Sequence, residues 1–167
     1  MKSFTSDELD KLIAVAEKYS TRDAMLIRTI YNHGLRVNEG VNLGPENLSG
    51  GSLDVQRLKG SMRTVQALAP GERDYLLLNL PTGKPFKMHR TTLSRKLKRY
   101  GAEAGIDVTK CHPHTLKHST GRLGYEAGLG LPELREILGH KDPGNTLIYM
   151  AADPDKAYAA FAGKVAR

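Results

Sequence analysis

The chain has 167 residues, of which 40% are hydrophobic and 26% are charged, and its formal net charge is +7 at pH 7. No apolar run of about 18 residues is present, which excludes a membrane-spanning helix. A single cysteine, Cys111, excludes an internal disulfide framework and a zinc site with several thiolate ligands. We expect one domain over residues 1–167, and a cytoplasmic protein because the first residues lack an apolar signal core.

The first part of the chain shows helical periodicity in three successive segments. Residues 5–8, TSDE, have the Ser/Thr-x-x-Glu form of a capping box, and apolar residues at helical spacing extend the first helix to about Tyr19. Thr21 can cap a second helix, which ends near the His-Gly pair at 33–34. A third, short helix is predicted over 37–43.

The convincing strand pattern lies in the middle of the chain. Leu53 and Val55 alternate with polar residues, and the alternation returns over 64–68 after a turn around Gly60, which predicts an antiparallel hairpin. Further helices are predicted over 70–80, 93–104, 114–127, 132–138 and 154–163. The sequence therefore predicts a mostly α fold with one small antiparallel β-hairpin or sheet, an α+β class without an internal domain boundary.

Two stretches without acidic residues, 75–102 and 108–125, concentrate the positive charge. Such basic stretches in a small domain favour a polyanionic partner, most often nucleic acid. A basic face that only keeps the protein in solution is the alternative interpretation. In the first stretch the candidate DNA-binding residues are Lys84, Lys87, Arg90, Arg95, Lys98 and Arg99.

The segment HTLKH places His114 and His118 four residues apart, on one face of a predicted helix. This spacing serves zinc in H-E-x-x-H sites. Here Thr115 occupies the position of the glutamate, and Lys117 adds a positive charge beside the supposed metal. The segment alone therefore disfavours a metallohydrolase. The alternative is that His114 and His118 are two partly buried helix histidines with a structural role.

Four other segments complete a pattern with HTLKH. The motifs in chain order are GLRVNE with Arg36 and Glu39, RLKG with Lys59, HTLKH at 114–118, LGH with His140, and finally Tyr149. Each residue alone has an ordinary structural explanation, but the five motifs in this order resemble the tyrosine recombinase (phage integrase) family. The resemblance covers about residues 5–163 and implies the fold of that family's catalytic domain.

The resemblance implies a role for each matched residue. Tyr149 is the nucleophile that attacks the scissile phosphate, and Arg36 clamps a non-bridging oxygen. His114 and His140 donate hydrogen bonds to the phosphate or take part in proton transfer, while Lys59 is the general acid for the leaving 5′-oxygen. Cationic groups of this kind stabilise charge on the phosphate oxygens. Because a phosphotyrosyl link retains the bond energy, rejoining needs no ATP, and the resemblance implies no metal or other cofactor.

Three residues of the pattern have less direct roles. By resemblance, Glu39 orients the cluster or holds His114, and His118 is a structural second histidine. Lys117 is a departure, because it stands where the family has its second arginine. Lysine is a point charge, whereas arginine is a planar two-point donor. Two interpretations stay open: Lys117 still binds the phosphate and supports catalysis, or the protein binds DNA without cutting it.

The resemblance implies a site-specific recombinase or integrase that cuts and rejoins double-stranded DNA through a 3′-phosphotyrosyl intermediate, in the nucleoid of the cytoplasm. An enzyme similar to type IB topoisomerases, which rejoins the original strand, is the alternative. We expect the family's N-terminal core-binding domain to be absent from this chain. The predicted helix 154–163 is expected to dock on a neighbouring copy in a homo-oligomer, a tetramer on DNA, or else to pack on its own domain. No membrane partner is expected.

Overall fold

The computed structural model describes residues 1–150, 159 and 162–164. The α-helices in the described residues are α1 Ser6–Tyr19, α2 Thr21–Asn32, α3 Val37–Val41, α4 Arg73–Asn79, α5 Arg90–Glu103, α6 Pro113–Glu126, α7 Leu131–Leu138 and α8 Gly144–Leu147. The strands are β1 Leu48–Ser49, β2 Ser52–Val55 and β3 Thr64–Ala67. No helix in this described part combines the length and apolar character needed to cross a bilayer. The predicted helix over 154–163 lies mostly outside the described residues.

The starts of the first two helices follow from their capping side chains. The Thr5 hydroxyl accepts a hydrogen bond from the Glu8 N–H at 3.2 Å, and the Glu8 carboxylate accepts one from the Thr5 N–H at 2.8 Å, which confirms the predicted capping box. The prediction that Thr21 caps α2 is wrong. Ser20 has extended backbone and accepts from the Asp23 N–H at 3.2 Å, so Thr21 is already the first helical residue.

The predicted hairpin is confirmed as part of a three-stranded antiparallel sheet in the order β1-β2-β3. β2 pairs with β3 from Ser52 opposite Ala67 to Val55 opposite Thr64. The sequence reasoning missed β1 because two residues are too few to show the period of a strand. The residues between Val55 and Thr64 form the end of the hairpin.

A helical core positions the remaining elements. α1 packs against α2 and α5, and α2 packs against α6. Leu116 is fully buried in this core, so it fixes the rotation of α6 and leaves His114, on the opposite side of the helix, exposed. The core also contains the fully buried side chains Leu12, Leu26, Ile27, Ile30, Leu93 and Leu97.

Candidate active site

One cleft gathers most of the residues that the motifs singled out. It has a volume of about 250 Å³, and the lining side chains relevant here are Arg36, His114, Lys117, His118, His140 and Tyr149. A neighbouring recess shares Arg36 with the cleft and includes Lys59 from the hairpin. One region therefore brings together residues from four parts of the chain: the α2–α3 connection, the hairpin, α6 and the segment after α7.

Arg36, just before α3, is oriented by a buried carboxylate. Its backbone N–H donates to Glu39 Oε2 at 2.7 Å, and its Nη1 donates to Glu39 Oε1 at 3.2 Å and to the Leu58 carbonyl at 3.0 Å. Burial by itself raises the pKa of Glu39, but hydrogen bonds from two backbone N–H groups and the charge of Arg57 outweigh it, so the pKa lies below its ordinary value. Glu39 is therefore ionised and fixes the Arg36 guanidinium at the edge of the cleft.

Arg57 is a buried residue of this region that the sequence reasoning missed. Its Nη1 donates to Glu39 Oε2 at 3.1 Å and to the Gly34 carbonyl at 3.0 Å. The sequence held a signal, because Leu53 and Val55 face the core and Arg57 continues their alternation past the end of β2. Arg57 occupies a position where this alternation predicts a buried side chain. A buried charge needs a partner of opposite charge, and here that partner is Glu39.

Lys117 is 6% exposed and makes two hydrogen bonds to backbone carbonyls. Its Nζ donates to Gly34 O at 2.7 Å and to Leu138 O at 2.9 Å. Burial, and then the charge of Arg57, lower the pKa of Lys117 to about 7. An ammonium group has three donors, so one is left for the cleft that Lys117 lines.

His140, in the turn after α7, is buried beside a threonine. Its Nδ1 lies 2.9 Å from Thr146 Oγ1. Burial and then the charges of Lys117 and Arg36 lower the pKa of His140 to about 4, so the ring is neutral at pH 7. The Thr146 hydroxyl has no other hydrogen-bond acceptor among the described residues, so it donates to Nδ1. The remaining proton of the ring is then on Nε2, where it can be donated.

Tyr149 is 2% exposed, and its hydroxyl lies 2.9 Å from Nδ1 of His118. Burial raises the pKa of Tyr149 to about 12, so the phenol is protonated at neutral pH. Burial and then the charge of His114 lower the pKa of His118, so His118 is neutral there and can accept the phenol hydrogen. The interpretation of His118 as a structural histidine missed this contact with the candidate nucleophile.

The ring of Tyr149 packs directly on Gly121 of α6. A Cβ at Gly121 would lie 2.6 Å from two ring carbons of Tyr149, closer than non-bonded carbons approach. We therefore expect Gly121→Ala to displace the ring and expose the phenol, which lowers the Tyr149 pKa from about 12 towards its ordinary value of 10.0. A titration of ¹³Cζ-labelled tyrosine by NMR measures this pKa.

Gly124→Ala is the matched control for that experiment. It adds the same methyl group to the same helix, but its Cβ would meet Leu134 Cδ2 at 2.8 Å instead of Tyr149. The Tyr149 pKa should not move in this variant. An unchanged Tyr149 pKa in Gly121→Ala would contradict the proposed contact.

Lys59 lies exposed at the tip of the hairpin, in a strained conformation. Its φ is +55° and that of Gly60 is +69°, the positive values that both central residues of a type I′ turn need. The left-handed region costs a non-glycine residue about 1–2 kcal/mol. Next to this turn, the Met62 N–H donates to the Gly139 carbonyl at 3.0 Å. The end of the hairpin is thereby tied to the residue before His140.

The six candidate DNA-binding residues are all exposed, but they do not form one patch. Arg90 lines a second cavity together with His112 and His114, so Arg90 adjoins the cleft. The Arg99 guanidinium instead lies 4.3 Å from the centre of the Tyr19 ring, on the side of α5 that faces α1. The basic stretch therefore contributes different residues to different sides of α5.

Comparison with known proteins identifies related sequences. The model of the phage integrase family matches residues 55–156. Tyrosine recombinase XerA of Pyrococcus furiosus is 35% identical over 164 residues, which cover 89% of this chain and 56% of the relative. Tyrosine recombinase XerD of Vibrio cholerae is 30% identical over 172 residues, with 89% and 56% covered. The chain thus spans about half the length of the curated relatives it matches.

Solved structures of the same fold are also found. A crystal structure of XerA recombinase matches with a TM-score of 0.79 at 21% identity, covering 100% of this chain and 66% of that one. The catalytic domain of bacteriophage HP1 integrase matches at 0.77 and 18% identity, covering 99% and 95%. The XerH site-specific recombinase bound to its difH substrate matches at 0.77 and 22% identity, covering 99% and 54%. The predicted fold, mostly α with a small antiparallel sheet, is confirmed.

Proposed function

Because the chain belongs to the phage integrase family, we propose that it is a site-specific DNA recombinase that cuts and rejoins strands through a bond between Tyr149 and a 3′-phosphate. The observation that carries this proposal is the cleft in which the Tyr149 side chain lies with Arg36, Lys117 and His140. A phenol beside several cationic or hydrogen-bond-donating groups suits attack on a phosphodiester. The DNA substrate of the similar XerH recombinase supports DNA as the substrate here.

The proposed cleavage step moves two protons. His118 takes the proton of the Tyr149 hydroxyl as the phenolic oxygen bonds to phosphorus, so the phenol, whose pKa is raised, need not ionise before the attack. The bond from phosphorus to the 5′-oxygen breaks, and Lys59 donates a proton to that leaving oxygen. Arg36 and the neutral His140 donate to the non-bridging oxygens. ATP does not enter the scheme, because the phosphotyrosyl bond retains the energy for rejoining, and the cationic side chains stabilise the charge on the phosphate.

Lys117 can replace the family's second arginine because its backbone contacts fix its position. Two of its donors bind the carbonyls of Gly34 and Leu138, and the third is free for a non-bridging oxygen. The phosphate is anionic, so its arrival favours the charged form of a lysine whose pKa is about 7 without it. These contacts favour a working enzyme over a protein that only binds DNA.

We expect Lys117→Ala to lower the rate constant of single-turnover cleavage by about 10²–10³-fold, and Lys117→Arg to retain cleavage. Wild-type Lys117 loses its charge as the pH rises through about 7, whereas arginine stays charged. At DNA concentrations well below saturation, where the rate reports the free protein, the wild-type rate should therefore fall above pH 7 relative to that of Lys117→Arg. Lys117→Met, which keeps most of the side-chain volume, controls for packing. Equal cleavage by the wild type and Lys117→Ala would rule out the phosphate contact.

We propose that the protein works as a homo-oligomer on double-stranded DNA, a tetramer when two sites are joined, and is found with the nucleoid. The apolar residues Tyr158, Phe161 and Val165 in the C-terminal sequence support docking of the predicted helix 154–163 on a neighbouring copy. The exposed Arg90 beside the cleft supports contact with the DNA backbone. Lys84, Lys87 and Lys98 are further candidates for such contacts.

The proposed function can be tested without knowing the target sequence. The protein is incubated with fragmented DNA from its source and denatured, and DNA bound covalently to protein is recovered and sequenced. Fresh DNA that contains the sequenced site is then given to the native protein together with a labelled acceptor strand that carries a 5′-hydroxyl. Transfer to that acceptor is expected of a recombinase, whereas relaxation of supercoiled plasmid without transfer indicates the topoisomerase-like alternative. DNA binding without any trapped fragment would contradict both.

A further inference from the structure

The Arg57 side chain is fully buried, and every N–H of its guanidinium donates a hydrogen bond. Guanidinium has five such donors in a rigid plane. The acceptors and distances are Thr64 Oγ1 at 2.9 Å, Gly34 O at 3.0 Å, Glu39 Oε2 at 3.1 Å, His33 O at 2.7 Å and Ile137 O at 3.1 Å. Saturation of a buried arginine to this extent indicates a fixed geometry, because each lost partner leaves an unpaired polar group.

These acceptors belong to several different elements. Gly34 lies in the turn between α2 and α3, Glu39 lies in α3, Thr64 begins β3, and Ile137 lies at the end of α7. Arg57 itself follows β2, two residues before Lys59. The Arg57 side chain therefore links the hairpin to the α2–α3 region, which carries Arg36, and to the end of α7, which precedes His140.

Arg57 and Lys117 share their anchoring points. The Gly34 carbonyl accepts from both, at 3.0 Å from Arg57 Nη1 and 2.7 Å from Lys117 Nζ. At the end of α7, Arg57 binds the carbonyl of Ile137 and Lys117 binds the next carbonyl, that of Leu138, at 2.9 Å. The two carbonyls that fix Lys117 are thus held, directly or through one peptide unit, by Arg57.

Arg57 also reaches Arg36 through one carboxylate. Glu39 Oε2 accepts from Arg57 Nη1 and from the Arg36 backbone N–H, while Glu39 Oε1 accepts from Arg36 Nη1. A rotation of the Glu39 carboxylate would move both contacts to Arg36 together. The Arg57 contact opposes that rotation together with the Leu58 N–H, which donates to Glu39 Oε1 at 3.0 Å.

We propose that Arg57 is a positioning residue of the strand-transfer site, which sets the separation of Arg36 and Lys117 before the phosphate arrives. This rests on the proposed function, in which those two cations contact one phosphate. Groups placed in advance need no reorganisation during reaction, and a displacement of about 1 Å can cost about 10²-fold in rate. Arg57 is buried away from solvent, so it acts through Lys117 and Glu39 and does not touch the phosphate.

Arg57→Lys is the test variant, because it keeps the charge but offers a single donating atom with three N–H groups instead of a planar fork. We expect the single-turnover rate constant at saturating DNA to fall by about 10–10²-fold, with the half-saturating DNA concentration unchanged. Thr64→Val removes only the acceptor of the Arg57 Nε and should give a smaller fall of the same kind. If Arg57→Lys does not fold, Thr64→Val still tests whether loosening Arg57 lowers the rate constant.

A second readout does not depend on cleavage. The ¹⁵Nζ resonance of Lys117, recorded below pH 7 and assigned by its absence in Lys117→Arg, should shift and broaden in Arg57→Lys as the carbonyl contacts loosen. Asp23→Asn is the control, because Asp23 is equally buried but bonds Lys96 and Tyr100 on the other side of the core. It should lower stability without moving this resonance.

An unchanged Lys117 resonance in Arg57→Lys would overturn the proposal, as would a rate loss that only follows the loss of stability seen with Asp23→Asn. If the wild-type protein does not cleave DNA, the proposed function fails, and the resonance still decides whether Arg57 positions Lys117. A shifted resonance together with a reduced rate constant at saturating DNA supports the proposal in full.

Discussion

Replacing Tyr149 by phenylalanine is expected to reduce covalent attachment of DNA to the limit of detection. The phenylalanine ring can occupy the same space against Gly121, so the fold should be kept. The variant loses the hydroxyl that His118 contacts at 2.9 Å, a hydrogen bond whose net contribution to stability is about 1 kcal/mol. Denaturing electrophoresis of labelled DNA measures the attachment, and thermal unfolding checks the fold.

Tyr125→Phe is the matched control, since Tyr125 lies on α6 but does not line the cleft. This variant should retain full attachment. DNA binding under native conditions should be equal in both variants, because neither hydroxyl is required for contact with the DNA backbone. Attachment that persists in Tyr149→Phe would mean that another residue is the nucleophile.

Replacing Lys59 by alanine is expected to slow cleavage of ordinary DNA by about 10²–10⁴-fold, the range of a general acid. The loss should disappear on DNA whose scissile 5′-oxygen is replaced by sulfur, because a thiolate leaves without needing a proton. Single-turnover cleavage of the two substrates, each compared with wild type, measures the effect. A role in binding the phosphate would instead slow both substrates alike.

Lys141 offers the control for this experiment, because it is an exposed lysine that lines the same recess as Lys59. Lys141→Ala removes the same charge from the recess and should leave both substrates close to wild type. If Lys141→Ala showed the rescue by sulfur and Lys59→Ala did not, the general acid would have to be reassigned to Lys141.

The order of the sequence motifs, through its resemblance to the phage integrase family, indicated which residues would lie together. Arg36, Lys117, His140 and Tyr149 line one cleft although they are far apart in the chain. The fold class was equally predictable, since helical periodicity and the hairpin alternation are local signals. The substitution at Lys117 was visible as a departure from the family pattern.

The contacts of these residues could not be predicted, because they join distant parts of the chain. Lys117 bonds to Gly34, 83 residues away, and no periodicity reports such a pair. The His118 contact with Tyr149 depends on how α6 packs against the segment after α8. Arg57 could be predicted to be buried, because it continues the alternation of Leu53 and Val55, but its hydrogen-bond partners could not.

In the proposed mechanism, Tyr149 forms a covalent bond to a DNA 3′-phosphate. The most direct measurement is to digest trapped protein–DNA complexes with nuclease and protease and to identify the nucleotide-bearing peptide by mass spectrometry. We expect a nucleotide joined through its 3′-phosphate to Tyr149. A nucleotide on any other residue, or one joined through its 5′-phosphate, would contradict it.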